Sequence, residues 1–532
     1  MASIGVVPTT GSIGPSATPT IGYSNAYFVV QSPWGIDGQA VMCSSFADFQ
    51  RKFGGLNKLT TLAADGSTST WSTETTDTVV QGYYAVKGFF DERGGTNANG
   101  VAYVCRTVKS SSGASAAVLT INDGSAHNTT FTAKWKGAPG GDIEVKWTQT
   151  SPVKGSGTGQ LDVRHVQAGI TEQWQIANAA DAANVSRDSE LVTVALPAGG
   201  QLASDTSGYK KLGNSAAGTS DAYDATDADL VGTTASDNSK TGLQVFNDYR
   251  LGTGIVAVPG KCSSTINSGL KTHCEAYWRV FFVGSLAGKN KSNIAAQISS
   301  TSSSVGAFYG PRIWVNNVNS DSGGKLLVDP VGHIAGLAAQ CDAKYQGPHK
   351  SPAGVNFPLA TALDVERQSN GAELYDDSTS NTLADSFVNT IRIKNGKVVV
   401  WGLRTLATDA RWRQVPAARV YCLIIVQGLL LAEPYTFEPI DSDGKLFARV
   451  QNDFGGFLES LRSHGALFGD KPGSQPKPTD AYAVVCDRGN NTPLTLSANE
   501  LHIDVSAAAT PNAETVRFSL MSAAPGFVKA AL

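Results

Sequence analysis

A multidomain α+β architecture is predicted by three features: the chain's length, a change of hydrophobic period near residue 243, and ends too poor in large apolar side chains to bury themselves. At 532 residues the chain exceeds the roughly 250–300 residues that one hydrophobic core sustains. From residue 255 onward, short β-branched runs alternate with helical stretches, the pattern of a parallel sheet covered on both faces. The resulting division is an arm at 1–22, a first body segment at 23–108, an inserted β-sandwich-like domain at 109–242, an α/β domain at 243–400, a C-terminal α+β core domain at 401–505 and a second arm at 506–532.

Residues 1–22 carry Pro8, Pro15 and Pro19 among Gly, Ser and Thr. A segment with so little to bury is held by something else, most simply another copy, and backbone pairing to a sheet edge would suffice. The alternative is an end lying on its own domain. Within the insert, residues 130–135 and 143–147 alternate apolar and polar side chains, as short strands between turns do, and 204–240 is polar enough for an exposed excursion. Next come a buried strand at 255–260, a helix at 266–277, a strand at 280–283, a weak helix at 293–300 and a strand at 313–315. A helix at 329–344 places Val331, Ile334, Leu337 and Ala338 on one face. After Val398-Val399-Val400, the apolar run 418–432 predicts a buried helix. Residues 446–463 predict a second helix, weakened or divided at Gly455-Gly456, and 482–486 and 501–505 predict closing strands.

A net charge of -3 with 16% charged residues argues against a general nucleic-acid binder, which needs a basic excess. So low a charge fraction suits a surface covered by copies of itself, with a bland Gly- and Ser-rich β protein as the competing reading. The seven cysteines show no Cys-x-x-Cys and no regular spacing, so neither a disulfide framework nor a zinc site is expected. There is no basic n-region and no apolar run of about 18 residues, so neither signal peptide nor membrane span is expected.

A series of short motifs occurs in order through the second half. Asp329-Pro330-Val331-Gly332-His333-Ile334-Ala335-Gly336 is followed by Lys350-Ser351-Pro352-Ala353-Gly354-Val355-Asn356. Asn389-Thr390-Ile391-Arg392, Val400-Trp401-Gly402-Leu403-Arg404-Thr405-Leu406 and Arg411-Trp412-Arg413 come next, then Phe437-Glu438-Pro439 and Ala483-Val484-Val485-Cys486-Asp487. Near the start, Ser44-Ser45-Phe46-Ala47-Asp48-Phe49 and Ala85-Val86-Lys87-Gly88-Phe89-Phe90 precede Gly-Gly turns. Together these resemble the tail sheath proteins of contractile phage tails and related injection machines, over roughly 20–108 and 245–520. The resemblance implies that 243–400 is a subtilisin-like α/β domain, that 23–108 is the N-terminal part of the same middle domain, and that the insert faces outward. It further implies a helical homo-oligomer around an inner tube, joined by exchanged terminal arms, with baseplate and terminator partners. No cofactor, direct nucleic-acid contact or membrane insertion is implied. The subunit would be assembled in the host cytoplasm and reside in the virion tail.

A subtilisin-like fold raises the question of a serine hydrolase. Gly218-Thr219-Ser220-Asp221-Ala222 and the segment at His333 each look like half of a subtilase site. Their order is wrong, since the serine precedes the histidine, and no catalytic residues are expected. A self-assembling shell or surface-layer protein is the other alternative. Gly284-Ser285-Leu286-Ala287-Gly288-Lys289-Asn290 is one residue short of a phosphate loop and lacks its Ser or Thr. Gly155, Gly157 and Gly159 have no dinucleotide-binding unit around them. Asp441-Ser442-Asp443-Gly444 has too few ligand positions for calcium and predicts a helix cap. Two recognition clusters remain. Arg404, Arg411, Arg413 and Arg419, interleaved with Trp401 and Trp412, are candidate inter-subunit contacts, since Arg and Trp anchor interfaces; internal pairing and nucleic acid are the alternatives. Lys445, Arg449 and Arg462 on the helix near 446–463 are candidate contacts to the inner tube.

Overall fold

The computed structural model describes residues 21–55, 78–94, 100–109, 116–122, 128–149, 159–166, 168–196, 208–212, 225–318, 324–472 and 480–517. Residues 1–20 of the expected arm at 1–22, Ser220 and its neighbours, Gly155, Gly157 and the last residues from 518 lie outside the described residues.

The chain is a mixed α/β protein with several sheets. Its largest has eight strands: β1 (Asn25–Val30), β2 (Val41–Cys43), β3 (Ala102–Arg106), β4 (Gly254–Ala257), β5 (Val280–Gly284), β6 (Gly306–Gly310), β7 (Val388–Lys394) and β8 (Lys397–Trp401). Their spatial order is β8-β7-β6-β5-β4-β1-β3-β2. Neighbours from β7 to β3 pair in parallel, and β8 and β2 close the edges antiparallel. Strands β1, β4, β5 and β6 are buried at every position, as parallel strands covered on both faces must be.

Five longer helices matter here: α1 (Thr78–Glu92), α2 (Ser264–Tyr277), α3 (Val331–Tyr345), α4 (Val415–Ala432) and α5 (Lys445–Ser463). Helices α1 and α3 approach so closely that a Cβ at Gly332 or Gly336 would fall 2.1 and 2.4 Å from backbone atoms of Ala85 and Phe89. A Cβ at Gly88 would meet the His333 ring at 2.4 Å. These contacts explain the glycines in the 329–336 motif, which would otherwise cost about 1 kcal/mol each in a helix interior. Asp329 leads into α3 from the strand Lys325–Val328, accepting from the Val331 amide at 3.0 Å and the Gly260 amide at 2.7 Å.

Between β3 and β4 the chain builds two antiparallel sheets. One joins Ala116–Asn122, Asn128–Lys136 and Val192–Ala195; the other joins Lys210–Lys211, Glu144–Gln149, Gly159–His165 and Ile170–Ile176. They share a core of Trp135, Trp147, Leu161 and Val163, and Trp34 enters it from the β1–β2 loop, stacking 6.3 Å from Trp135. This unit ends earlier than the expected boundary at 242. The helix Asp227–Val231 belongs to the main body, because Leu230, Leu243 and Phe246 are buried in the main core.

The expected helix at 293–300 reduces to a 3-10 turn, Ala295–Gln297. There the Asn290 side chain takes the Ser292 amide and hydroxyl at 3.0 and 2.6 Å, the local competition that keeps such residues out of helices. The closing strand expected at 501–505 forms as Asp504–Ala507, paired with Tyr482–Val485. Helix α5 is continuous through Gly455 and Gly456. The helix over Val415–Tyr435 is long and apolar enough to cross a membrane by length and composition alone. It is a mostly buried core helix, and it carries Arg419 in an ion pair near its N-terminal end.

Candidate assembly surfaces

The arginine and tryptophan segment divides by depth. Arg419 corrects the expectation of a surface contact: its side chain is 3% exposed and forms a bidentate pair with Asp342 of α3, itself 0% exposed, at 2.9 and 2.5 Å. Burial raises the Asp342 carboxyl above its ordinary range against the pull of Arg419, and Ser24 Oγ adds a hydrogen bond at 2.8 Å. Arg404 is half-buried and pairs with Asp385 and Glu514 at 3.0 and 2.9 Å. Arg411 is exposed and pairs with its neighbour Asp409 at 2.8 Å. Arg413 is exposed, while its carbonyl accepts from Thr405. Trp412 leans on Tyr421 at 4.9 Å, and Trp401 is 40% exposed with Lys394 over its ring at 5.0 Å. Arg411, Arg413 and Trp401 are thus the members that face solvent.

Helix α5 buries Leu446, Phe447, Val450, Phe454, Leu458 and Leu461. Asp441 caps it as expected, accepting from the Lys445 and Leu446 amides at 2.9 and 2.8 Å. At about 100° per residue, Lys445 and Arg449 share a face, whereas Arg462 stands roughly 140° around from Arg449. Arg462 is also held in a two-point pair by Glu459 at 2.9 and 2.7 Å. Lys445 pairs with Asp443 at 3.2 Å and Arg449 with Glu438 at 3.7 Å, both in the open. Next to them Phe437 is fully exposed. A Cβ added at Gly455 or Gly456 meets nothing within 4 Å. Alanine at both positions should therefore raise stability by roughly 1 kcal/mol per site, read as a higher urea midpoint of the monomer; an unchanged or lower midpoint would show that the glycines serve the fold.

The hairpin Tyr482–Val485/Asp504–Ala507 has two strands, so the second edge of Asp504–Ala507 has no strand partner among the described residues. Beside it lies an apolar groove of about 570 Å³, lined by Trp412, Tyr421, Ile424, Leu429, Phe457 and Val505. Sequence reasoning missed the polar residues that tie the chain ends to α4, namely Gln414, Gln427 and Asn512. The available signal was a glutamine inside an apolar helix, which needs a partner when buried.

The tempting chemical motifs are occupied by structure. His333 is 2% exposed; burial pushes its imidazole down to about 3, so it packs as a neutral ring. In the loop after β5 the Gly288 amide donates to Glu366 Oε1 at 2.6 Å and the Leu286 amide to Gln297 Oε1 at 2.9 Å, so the chain's own side chains take the amides a phosphate would need. Among the described residues no group of three or more His, Cys, Asp or Glu side chains is placed to hold a metal.

Residues 250–406, from just before β4 to the end of the β8 loop, match the family model of the phage tail sheath protein central domain. Over those residues the chain resembles the central domain of contractile tail sheath proteins. The family so matched is structural, not enzymatic. The chain's fold is similar to that of a sheath tail protein from Listeria innocua, with a TM-score of 0.54 at 13% identity over 88% of this chain and 90% of that one. It is similar to the sheath complex of an extracellular contractile injection system in the contracted state, with a TM-score of 0.52 at 14% identity over 98% of each chain. A chain of the anti-feeding prophage baseplate gives a TM-score of 0.51 at 16% identity, over 98% of this chain and 99% of that one. No curated protein sequence matches.

Proposed function

We propose that this subunit polymerises as a helical homo-oligomer around an inner tube, is assembled in an extended, metastable form, and collapses to a shorter, wider one that drives the tube through a target cell envelope. The observation that carries this reading is the sheath central domain at 250–406. Head-to-tail contacts between identical subunits generate an open helix, rigid-body turning of subunits separates the two states, and the first is trapped kinetically. Energy stored at assembly removes any need for a nucleotide. By the same reading, 243–400 is a subtilisin-like α/β domain completed by 23–108, the two small sheets between β3 and β4 form a sandwich on the outer surface, and 401–505 is the inner core domain. A baseplate at one end and a terminator at the other complete the partners, with assembly in a host cytoplasm and residence in the tail.

The open edge of Asp504–Ala507 and the groove beside it support arm exchange, because an extended segment from a neighbouring copy would gain main-chain hydrogen bonds and side-chain pockets together. Deleting residues 1–20 should leave a folded subunit with unchanged circular dichroism that no longer forms striated cylinders in negative stain. Long cylinders from the truncated chain would refute arm exchange, and the same images of the intact chain should show the insert as outward knobs.

The tube contact we assign to Lys445 and Arg449, with Arg462 at the margin. Exposed charge pairs are each worth about 0–1 kcal/mol, weak singly and strong when repeated in every ring, which suits a bond that fails progressively. Lys445→Glu with Arg449→Glu should spare folding and yield tubeless or prematurely contracted sheaths. Normal extended tails from that variant would move the contact to Arg411, Arg413 and Trp401.

A further inference from the structure

We infer that α4 is a strut holding both terminal segments of the subunit, so that load entering at residues 21–24 is shared with 508–514 along one helix instead of falling on β1 alone. The inference rests on the proposal that the terminal segments link copies.

On the N-terminal side, the Ile21 amide donates to Gln427 Oε1 at 3.3 Å. The Ile21 side chain packs with Val420, Leu423, Val426 and Leu430 of the same helix. The Tyr23 carbonyl accepts from Arg419 Nη2 at 3.3 Å, and Ser24 Oγ donates to the Asp342 carboxylate that pairs with Arg419. At the other end of α4, Gln414 grips Asn512 by both backbone groups. Its Nε2 donates to the Asn512 carbonyl at 2.7 Å, and its Oε1 accepts from the Asn512 amide at 2.8 Å. The Ala509 amide donates to Tyr421 Oη at 3.4 Å, and Arg404 pairs with Glu514 at 2.9 Å. Gln414 and Gln427 are separated by about 20 Å of helix at 1.5 Å per residue.

The placement matters because residues 21–24 run directly into β1, which lies in the middle of the sheet between β4 and β3. Without the anchors, tension on the preceding segment would draw on β1 itself. With them, tension is taken up by Gln427, Arg419, the apolar contacts of Ile21 and the bond from the Thr253 amide to the Gly22 carbonyl at 3.1 Å before it reaches β1, and the part borne by α4 passes to Gln414 and Asn512. A glutamine that bonds both the N–H and C=O of one residue acts as a strand neighbour would, fixing where the chain leaves the body. A buried glutamine is tolerated in an apolar helix only when partnered, and Gln427 is 3% exposed.

The test is optical-trap pulling of the full chain with DNA handles at its two ends. The first yield should release only the terminal segments, at roughly 3.3–3.6 Å per freed residue, and its force should fall in Gln414→Ala and in Gln427→Ala. Both variants should keep the wild-type circular dichroism; where Gln427→Ala lowers stability, Gln427→Met keeps the volume and gives the same readout. A first yield that frees the length of the main sheet, or a yield force unchanged in both variants, would overturn the strut. Cylinders formed by the chain lacking residues 1–20 would sink arm exchange and leave the pulling result standing, so the two failures are distinguishable.

Discussion

Arg419→Met is expected to destabilise the isolated subunit by about 3–5 kcal/mol, because it strips the partner from a carboxylate that has no access to solvent. Asp342 is 0% exposed, and its two oxygens are occupied by Arg419 and Ser24. Once Arg419 is gone, the carboxylate must either remain charged in a medium that solvates it poorly or take up a proton. Arg404→Met is expected to cost no more than about 0–1 kcal/mol, since its two carboxylate partners lie at the surface. Urea unfolding of the two monomeric variants side by side is the measurement. A loss for Arg419→Met no larger than that for Arg404→Met would mean that the pair is solvated and that the segment's arginines are equivalent after all.

The double variant Arg419→Met with Asp342→Leu separates the charge penalty from the rest. Replacing both members of a buried pair by apolar groups of similar volume is often neutral or stabilising, so most of the loss should return. What does not return measures the hydrogen bonds to Tyr23 and Ser24, which go with the pair.

How much of this was legible in the sequence follows from what local pattern encodes. The strands at 254–257 and 280–284 and helices α3 and α5 are continuous or periodic apolar runs, and their existence was readable from them. The order of strands was not: β1 lies between β3 and β4, and nothing in its own residues names its neighbours. Arg419 illustrates the same limit at the candidate site. Its neighbours in sequence are other arginines and tryptophans, which suggest a surface cluster, while its partner Asp342 is 77 positions away and decides its depth. The end of the insert was misplaced because 225–242 is polar in composition, yet Leu230 and Leu243 supply enough apolar contact to anchor it to the main body. Trp34 belongs to the core of an insert that begins some 75 residues later, a contact no short window contains. The glycines of the 329–336 motif were visible as a motif, but their cause, the backbone of α1 against α3, was not.

Acid is expected to unfold the subunit through His333 and His273. Burial pushes both imidazoles down to about 3 from the ordinary 6.5. His333 packs against Gly88, and its Nδ1 is buried without a hydrogen-bond partner. His273 Nδ1 faces Asn247 Oδ1 at 2.9 Å and its Nε2 faces Arg279 at 3.3 Å. Between pH 6.5 and 3 the unfolded chain therefore binds protons that the folded chain refuses. Stability contributed by the neutral rings is complete above about 6.5 and falls as pH drops, by about 1.4 kcal/mol per pH unit for each histidine. At pH 5 the two together should have lost about 4 kcal/mol. Glu92, Asp329, Asp342 and Glu366 act in the opposite sense, since burial raises their carboxyls, and a folded state that binds protons more readily gains as pH falls. The decisive quantity is thus a difference between chains. Unfolding free energies of wild type, His333→Gln and His273→Gln measured by urea between pH 6 and 4 should show each variant with a slope shallower by about 1.4 kcal/mol per pH unit. Parallel slopes in all chains would mean that these histidines reach solvent in the folded state, and for His333 that would undo the close seating of α1 on α3.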